Sequence, residues 1–256
     1  METDNLRKLG EIMAGLRAPG GCPWDIEQTH DSLKNHLIEE AYEVVDAIEH
    51  GDDEHLKEEL GDLLLQVFFH AQIAADRGAF TIDDVAGGIS EKLVRRHPHI
   101  FADGEANTPE DVSRNWEVVK ESEGKYDESR LAGIPRSLPA LLRAYKTQKK
   151  MAGAGFDWPD TASLTAAMNE EAEELAKAMA GDGDIREEIG DMLFMLTNVA
   201  RQQGIEPEGA LRAAIAKVER RFRYMERKAA ESGSRLEDMT LENQDKLWDE
   251  AKEEER

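Results

Sequence analysis

Apolar residues recur at three- and four-residue intervals along most of this 256-residue chain, the spacing that gathers them on one face of an α-helix. Leu6, Leu9, Ile12, Met13 and Leu16 make the first such stripe, which stops at Pro19-Gly20-Gly21. Leu37, Ala41, Val44, Val45 and Ile48 make a second, over 36–49, closed by Gly51-Asp52-Asp53. A further helix is predicted from near His55 to about Asp76, with others over 82–97 and 109–121. Residues 121–139 carry Gly124, Gly133, Pro135 and Pro139 with little periodicity, and read as a connection. Beyond it the pattern resumes, with helices over about 164–180, 184–203, 207–231 and 240–254. Runs that alternate apolar and polar residues are almost absent, so the expected class is all-α.

The second set of helices echoes the first. Gly21-Cys22-Pro23-Trp24-Asp25 has a counterpart in Gly155-Phe156-Asp157-Trp158-Pro159, a Trp-bearing turn ahead of each helix pair. Glu39-Glu40-x-x-Glu43 followed by Glu59-x-x-Asp62 returns as Glu170-Glu171-x-x-Glu174 followed by Glu188-x-x-Asp191. Lys92-x-x-Arg95-Arg96 returns as Lys217-x-x-Arg220-Arg221. The offset falls from 131 residues at Glu40/Glu171 to 129 at Asp62/Asp191 and 125 at Lys92/Lys217, which places deletions in loops. A duplicated fold is the natural reading, with tandem domains over 1–125 and 126–256.

An isolated EExxE is most often a solvated helix face. Here the geometry argues otherwise. At about 100° per residue, Glu40 and Glu43 lie roughly 60° apart on one flank of the apolar stripe, as do Glu171 and Glu174. Glu59 and Asp62, and Glu188 and Asp191, lead into Leu63–Phe69 and Met192–Leu196, segments apolar almost all round and so expected to be buried on most faces. Carboxylates in such places are costly unless paired or coordinated. Four converging on one another call for a cation. The candidate metal ligands are therefore Glu171, Glu174, Glu188 and Asp191 in the second copy, and Glu40, Glu43, Glu59 and Asp62 in the first. An all-oxygen set suits Mg²⁺, or Mn²⁺, better than Zn²⁺. A di-iron site would need Glu-x-x-His on two helices, and all seven His lie at or before His99.

Lys217, Arg220 and Arg221 share one helical face, and their recurrence in both halves favours phosphate over ordinary salt bridges, Arg gripping it bidentately and Lys as a point charge. Trp158 and Trp248 are candidates for stacking on a base. Charge narrows the ligand further. With 55 Asp and Glu against 32 Lys and Arg, the formal charge is −23, a field that repels nucleic-acid polymers and anionic membranes but leaves room for a small anion in a local basic pocket. The single Cys22 allows no internal disulfide and fits a reducing compartment. No apolar run reaches the roughly 20 residues that span a bilayer. A soluble, cytoplasmic protein is expected.

Together with Arg95-Arg96-His97-Pro98-His99-Ile100-Phe101, Ile134-Pro135-Arg136-Ser137-Leu138-Pro139 and the two Trp-bearing turns, these motifs resemble the MazG family of nucleoside triphosphate pyrophosphohydrolases along essentially the whole chain. The resemblance implies helices from each half entering four-helix bundles completed by a second subunit, hence a homodimer. It implies Mg²⁺-dependent cleavage of an NTP or dNTP between the α- and β-phosphates, giving NMP and pyrophosphate. By position, Glu171, Glu174, Glu188 and Asp191 match the family's metal ligands, and Lys217, Arg220, Arg221 and Trp248 its nucleotide-contacting segment. The first half retains Glu40, Glu43, Glu59, Asp62, Lys92 and Arg96. Ile215 stands where relatives often have Asn. Glu171 or Glu174 would double as general base. The alternatives are a non-catalytic helical dimerisation or regulatory protein, and a narrower dUTP or dCTP pyrophosphatase of related fold.

Overall fold

The structure, a computed structural model, describes residues 2–102, 108, 111, 112 and 129–255. The helix expected over 109–121, save for Asp111 and Val112, and the domain boundary expected at 125/126 lie outside these residues. Among the described residues every regular element is helical. The chain divides into two compact units, with the division at 119/120.

The first unit contains α1 (Glu2–Arg17), the short α2 (Pro23–Glu27), α3 (Lys34–His50), α4 (Asp53–Asp76), α5 (Ile82–Arg96) and a single turn, α6 (Pro98–Phe101). Helices α3 and α4 form a hairpin, and its tight turn has a clear physical origin. Gly51 closes α3 in the left-handed conformation, φ +70°, which a side chain would strain. Asp52 then caps α4 by accepting from the amides of Glu54 and His55. Helix α1 lies against α4, and between them Met13, Leu33, Phe69 and Ile73 make the buried core, flanked by Leu16 and Leu65. Arg17 ties the same elements together with charge. Its Nε donates to Asp76 at 2.7 Å, and its Nη1 donates to the carbonyls of Asp25 and, at 3.2 Å, Gln28. The Trp24 turn, expected as irregular, contains α2, because Pro23 at the first helical position presets the backbone angle. Pro98 ends α5 as expected and at once begins α6.

The second unit contains α7 (Ala140–Gly153), α8 (Thr161–Met179), α9 (Ile185–Gln202), α10 (Pro207–Glu231), a 3₁₀ turn (Leu236–Asp238) and α11 (Leu241–Glu254). Helix α9 packs on both α8 and α7, while α10 packs on α7 and α11. Asp160, Asp184 and Thr240 cap α8, α9 and α11 through side-chain oxygens. Helix α7, which the periodicity does not predict, follows directly on Pro139 and ends at Gly153, and Gly155, with φ of +88°, then turns the chain into Phe156-Asp157-Trp158.

One expectation needs correction. Of Met192–Leu196, only Met195 is buried; Leu193 and Leu196 are each 48 % exposed and Phe194 is 37 % exposed. Leu63–Phe69 is better covered, with Gln66, Phe68 and Phe69 buried, because α1 lies over it. No helix among the described residues is long and apolar enough to cross a membrane.

Phe69 is 3 % exposed in the core between α1 and α4. Phe69→Ala is expected to cost about 3–5 kcal/mol, read as a lowered urea midpoint with unchanged helical circular dichroism in water. A loss below about 1 kcal/mol would mean that this core does not hold α1 to the hairpin.

Candidate functional site

Each hairpin gathers carboxylates from both of its helices. Oxygens of Glu171 and Glu174 on α8 and Glu188 on α9 lie within 4.8 Å of one another, and Glu40 and Glu43 on α3 with Glu59 on α4 do the same. Asp191 and Asp62 stand outside these trios, yet close enough to act on them electrostatically. Of the four acids singled out in each half, three converge directly and the fourth lies outside the trio.

Electrostatics separate the two copies. In the second, Glu171 is pushed above its ordinary range, first by burial and then by the charges of Asp191, Glu174, Glu188 and Glu170. Glu188 is raised as well, by burial and then by Glu174, Asp191, Glu187 and Asp184. Among the described residues no cationic side chain pairs with this trio. In the first copy Glu40 is raised, by burial, by its hydrogen bond with Glu43 and by the charges of Asp62 and Glu43, and is partly relieved by Gln66. His55 also reaches Glu59 at 2.9 Å, and Gln66 Nε2 approaches Glu40 Oε1 at 3.5 Å. The first trio therefore carries internal partners that the second lacks.

The donor set fits a hard divalent cation. It is all oxygen, drawn from two helices that a tight turn holds in register, and it repels itself when fully ionised. Such an ion would relieve that repulsion and polarise a phosphate or a water.

The basic cluster gathers elsewhere, along α10 where it meets α11. Arg221 donates its Nε to Glu255 at 2.7 Å, and Arg220 lies 3.6 Å from the same carboxylate. The Arg221 guanidinium sits 5.5 Å from the Trp248 ring centroid, and Lys252 Nζ sits 5.9 Å from it. Lys217 is exposed on the same helix. Trp248 is thus a platform for cations within this unit. In the first half Arg96 is buried while Lys92 is half-buried.

Trp158 belongs to a different feature. Together with Phe156, Pro159, Phe194, Met195 and Gln148 it lines a cavity of about 460 Å³ between the Trp-bearing turn, α7 and α9. At its edge Arg201 donates to both oxygens of Asp157, and this hydrogen bonding holds the Asp157 carboxyl below the usual range. Asn198 and Arg201 follow Asp191 by 7 and 10 residues on α9, about 10–15 Å along the helix. That regular step was the available signal for them. Gln148 gave none, since α7 itself was not foreseen.

The family model described as the MazG nucleotide pyrophosphohydrolase domain matches the chain twice, over residues 28–101 and 160–225. The chain is 51 % identical over 249 residues to the protein YabN of Bacillus subtilis, covering 96 % of this chain and 51 % of that protein, so it spans about half of that relative's length. It is 45 % identical over 246 residues to the nucleoside triphosphate pyrophosphohydrolase/pyrophosphatase MazG of Thermotoga maritima, covering 96 % of this chain and 94 % of that protein. It is 43 % identical over 259 residues to a nucleoside triphosphate pyrophosphohydrolase of Escherichia coli, covering 98 % of each.

A carboxyl raised in the folded state holds its proton there more tightly than in the unfolded chain. Glu171 and Glu188, raised from 4.5, therefore contribute stability at low pH that is lost as pH rises past 4.5 through their raised values. The metal-free protein should gain thermal stability at pH 7 from Glu188→Gln, and millimolar Mn²⁺ should raise the melting temperature of the wild type more than that of the variant. Equal Mn²⁺ shifts in both proteins would contradict this trio as the ion's site.

Proposed function

The chain belongs to the MazG nucleotide pyrophosphohydrolase family, and from that premise we propose that it hydrolyses nucleoside triphosphates between the α- and β-phosphates, releasing NMP and pyrophosphate. The observation that carries this reading is the second carboxylate trio, converged from two helices with no cationic partner among the described residues. Glu171, Glu174 and Glu188, with Asp191 beside them, hold Mg²⁺, or Mn²⁺ in its place. The ion, when bound, lowers the pKa of a water and neutralises charge on the phosphates.

The chain's own groups supply the rest. Lys217, Arg220 and Arg221 bind the phosphate oxygens, and Trp248 steadies the Arg221 guanidinium by stacking against it. Glu171 or Glu174 accepts the proton of the attacking water. Water oxygen bonds to the α-phosphorus, the bond from that phosphorus to the α–β bridging oxygen breaks, and pyrophosphate leaves with the electron pair. The base of the nucleotide enters the cavity beside Trp158, one wall of which is the helix that carries Glu188 and Asp191. The second half performs most of the catalysis, since the first trio is already relieved by His55 and Gln66. The tandem domains meet within the connection at about 125/126.

A homodimer completes the assembly. Ile185, Ile189, Leu193 and Leu196 on α9 and Leu211, Ile215, Val218 and Phe222 on α10 are each 47–50 % exposed. On each helix the set falls on a single stripe. Two apolar stripes left open in one chain are what a four-helix bundle between two copies would cover. A cytoplasmic enzyme of nucleotide-pool housekeeping agrees with the free Cys22.

Incubation with a panel of NTPs and dNTPs and a divalent metal should release pyrophosphate and NMP, and light scattering of the same preparation should give the mass of two chains. Inorganic phosphate and NDP as first products would overturn the cleavage assignment. Glu174→Ala should lower kcat at least about 10³-fold while Glu43→Ala costs far less; the reverse ordering would move catalysis to the first half.

A further inference from the structure

Two side-chain amides line the Trp158 cavity, and hydrogen bonds to other groups fix the orientation of each. Gln148 on α7 is 3 % exposed. Its Nε2 donates to the backbone carbonyl of Phe194 at 2.7 Å. A carbonyl accepts only, so the nitrogen must face Phe194 and the oxygen must face away from it. That oxygen, Gln148 Oε1, is buried without a hydrogen-bond partner. Buried acceptors left unpaired cost free energy, and such a group in a cavity wall points to a ligand donor.

Asn198 has the complementary arrangement. Its Oδ1 accepts from Arg201 Nε at 3.1 Å and from Nη2 at 2.7 Å. Arg201 offers donors only, so this amide is fixed with its oxygen on Arg201 and its NH₂ directed elsewhere. Arg201 is in turn held by Asp157. Both amides thus line the cavity, Gln148 with a buried acceptor left unpaired and Asn198 with its oxygen already taken by Arg201, beside the aromatic and sulfur surfaces of Trp158, Phe156, Phe194 and Met195.

We propose that Gln148 and Asn198 read the hydrogen-bonding edge of the nucleobase, Gln148 Oε1 accepting from a base N–H and Asn198 Nδ2 donating to an adjacent carbonyl oxygen or ring nitrogen. Every common base carries such a donor next to an acceptor on its pairing edge, so the pair recognises a base as such and ranks the four by fit. The Asp157–Arg201 pair is a positioning element, which keeps the Asn198 oxygen turned away from the base. This assignment rests on the pyrophosphohydrolase reading and adds the residues through which the enzyme recognises its substrate.

Gln148→Met keeps the length and removes both polar atoms, and Asn198→Ala tests the second amide on a less buried residue. For each folded variant, kcat and KM are measured with ATP, GTP, CTP and UTP, alongside the inhibition constant of inorganic triphosphate, which has no base. The expected result is a KM raised roughly 10-fold for the preferred nucleotide, with kcat and the triphosphate constant within about two-fold of wild type. Arg201→Lys should reproduce part of the Asn198→Ala effect. KM and the triphosphate constant rising together, or neither moving in either variant, would overturn the proposal. If the wild type releases pyrophosphate from none of the four, the hydrolase reading falls instead, and calorimetric binding of the nucleosides to wild type and variants still decides the amide assignment by the same fold-change.

Discussion

Mutual repulsion among carboxylates is the constraint around which the rest of this protein is organised. Three acidic oxygens within 4.8 Å oppose folding when ionised, so the helices bearing them must be held together by something else. That work falls to the hairpins, through apolar packing and turns specified by Gly51 and Asp52 in one half and capped by Asp184 in the other. The first half adds the Met13–Leu33–Phe69–Ile73 core beneath α1. The stored repulsion is what makes a divalent cation welcome, and a cation held by protein oxygens on one side is open to phosphate oxygens on the other.

Duplication let the two halves diverge in how they handle this repulsion. His55 beside Glu59 and Gln66 beside Glu40 offset part of it in the first copy. In the second copy the charges of Glu170, Asp184 and Glu187 instead help to push Glu171 and Glu188 up, Asp184 standing where the first copy has His55. A half that carries its own partners gains less from an ion and is suited to a structural or regulatory part. The other half keeps its demand for metal, and beside it lies a cavity of about 460 Å³ with aromatic walls. The unrelieved carboxylate trio and the aromatic-walled cavity thus lie in one unit.

Much of this was legible in the sequence, and the reasons differ by feature. Helical spacing gave α3, α4, α8, α9 and α10 because each carries a continuous apolar stripe, and the paired acidic motifs gave both trios because i, i+3 spacing holds two acids on one face. Helix α7 escaped because Pro135 and Pro139 suggested a connection that in fact stops just before Ala140. Spacing marks Asn198 at most and Gln148 not at all, and what each amide does depends on the orientation that Arg201 and Phe194 impose in the folded chain. Leu193 and Leu196 show a further limit: apolarity predicts burial, and within this chain each stays 48 % exposed. Trp248, expected to meet a base, lies against Arg221 and Lys252, because an indole face is as good a platform for a cation as for a ring.

The claim that a self-repelling carboxylate trio is the metal centre is tested most directly by titrating Mn²⁺ into metal-free protein calorimetrically, at a pH just above the ordinary carboxylate range and in buffers of different ionisation enthalpy. Carboxyls raised by burial and by the charges of their neighbours hold protons more tightly than free ones, so an ion that binds them displaces protons where they are still held. Saturable binding is expected, with proton release that fades as pH rises and binding that weakens sharply when Glu171 and Glu188 are both replaced by Gln. Binding that releases no protons and is unchanged in that double variant would contradict it.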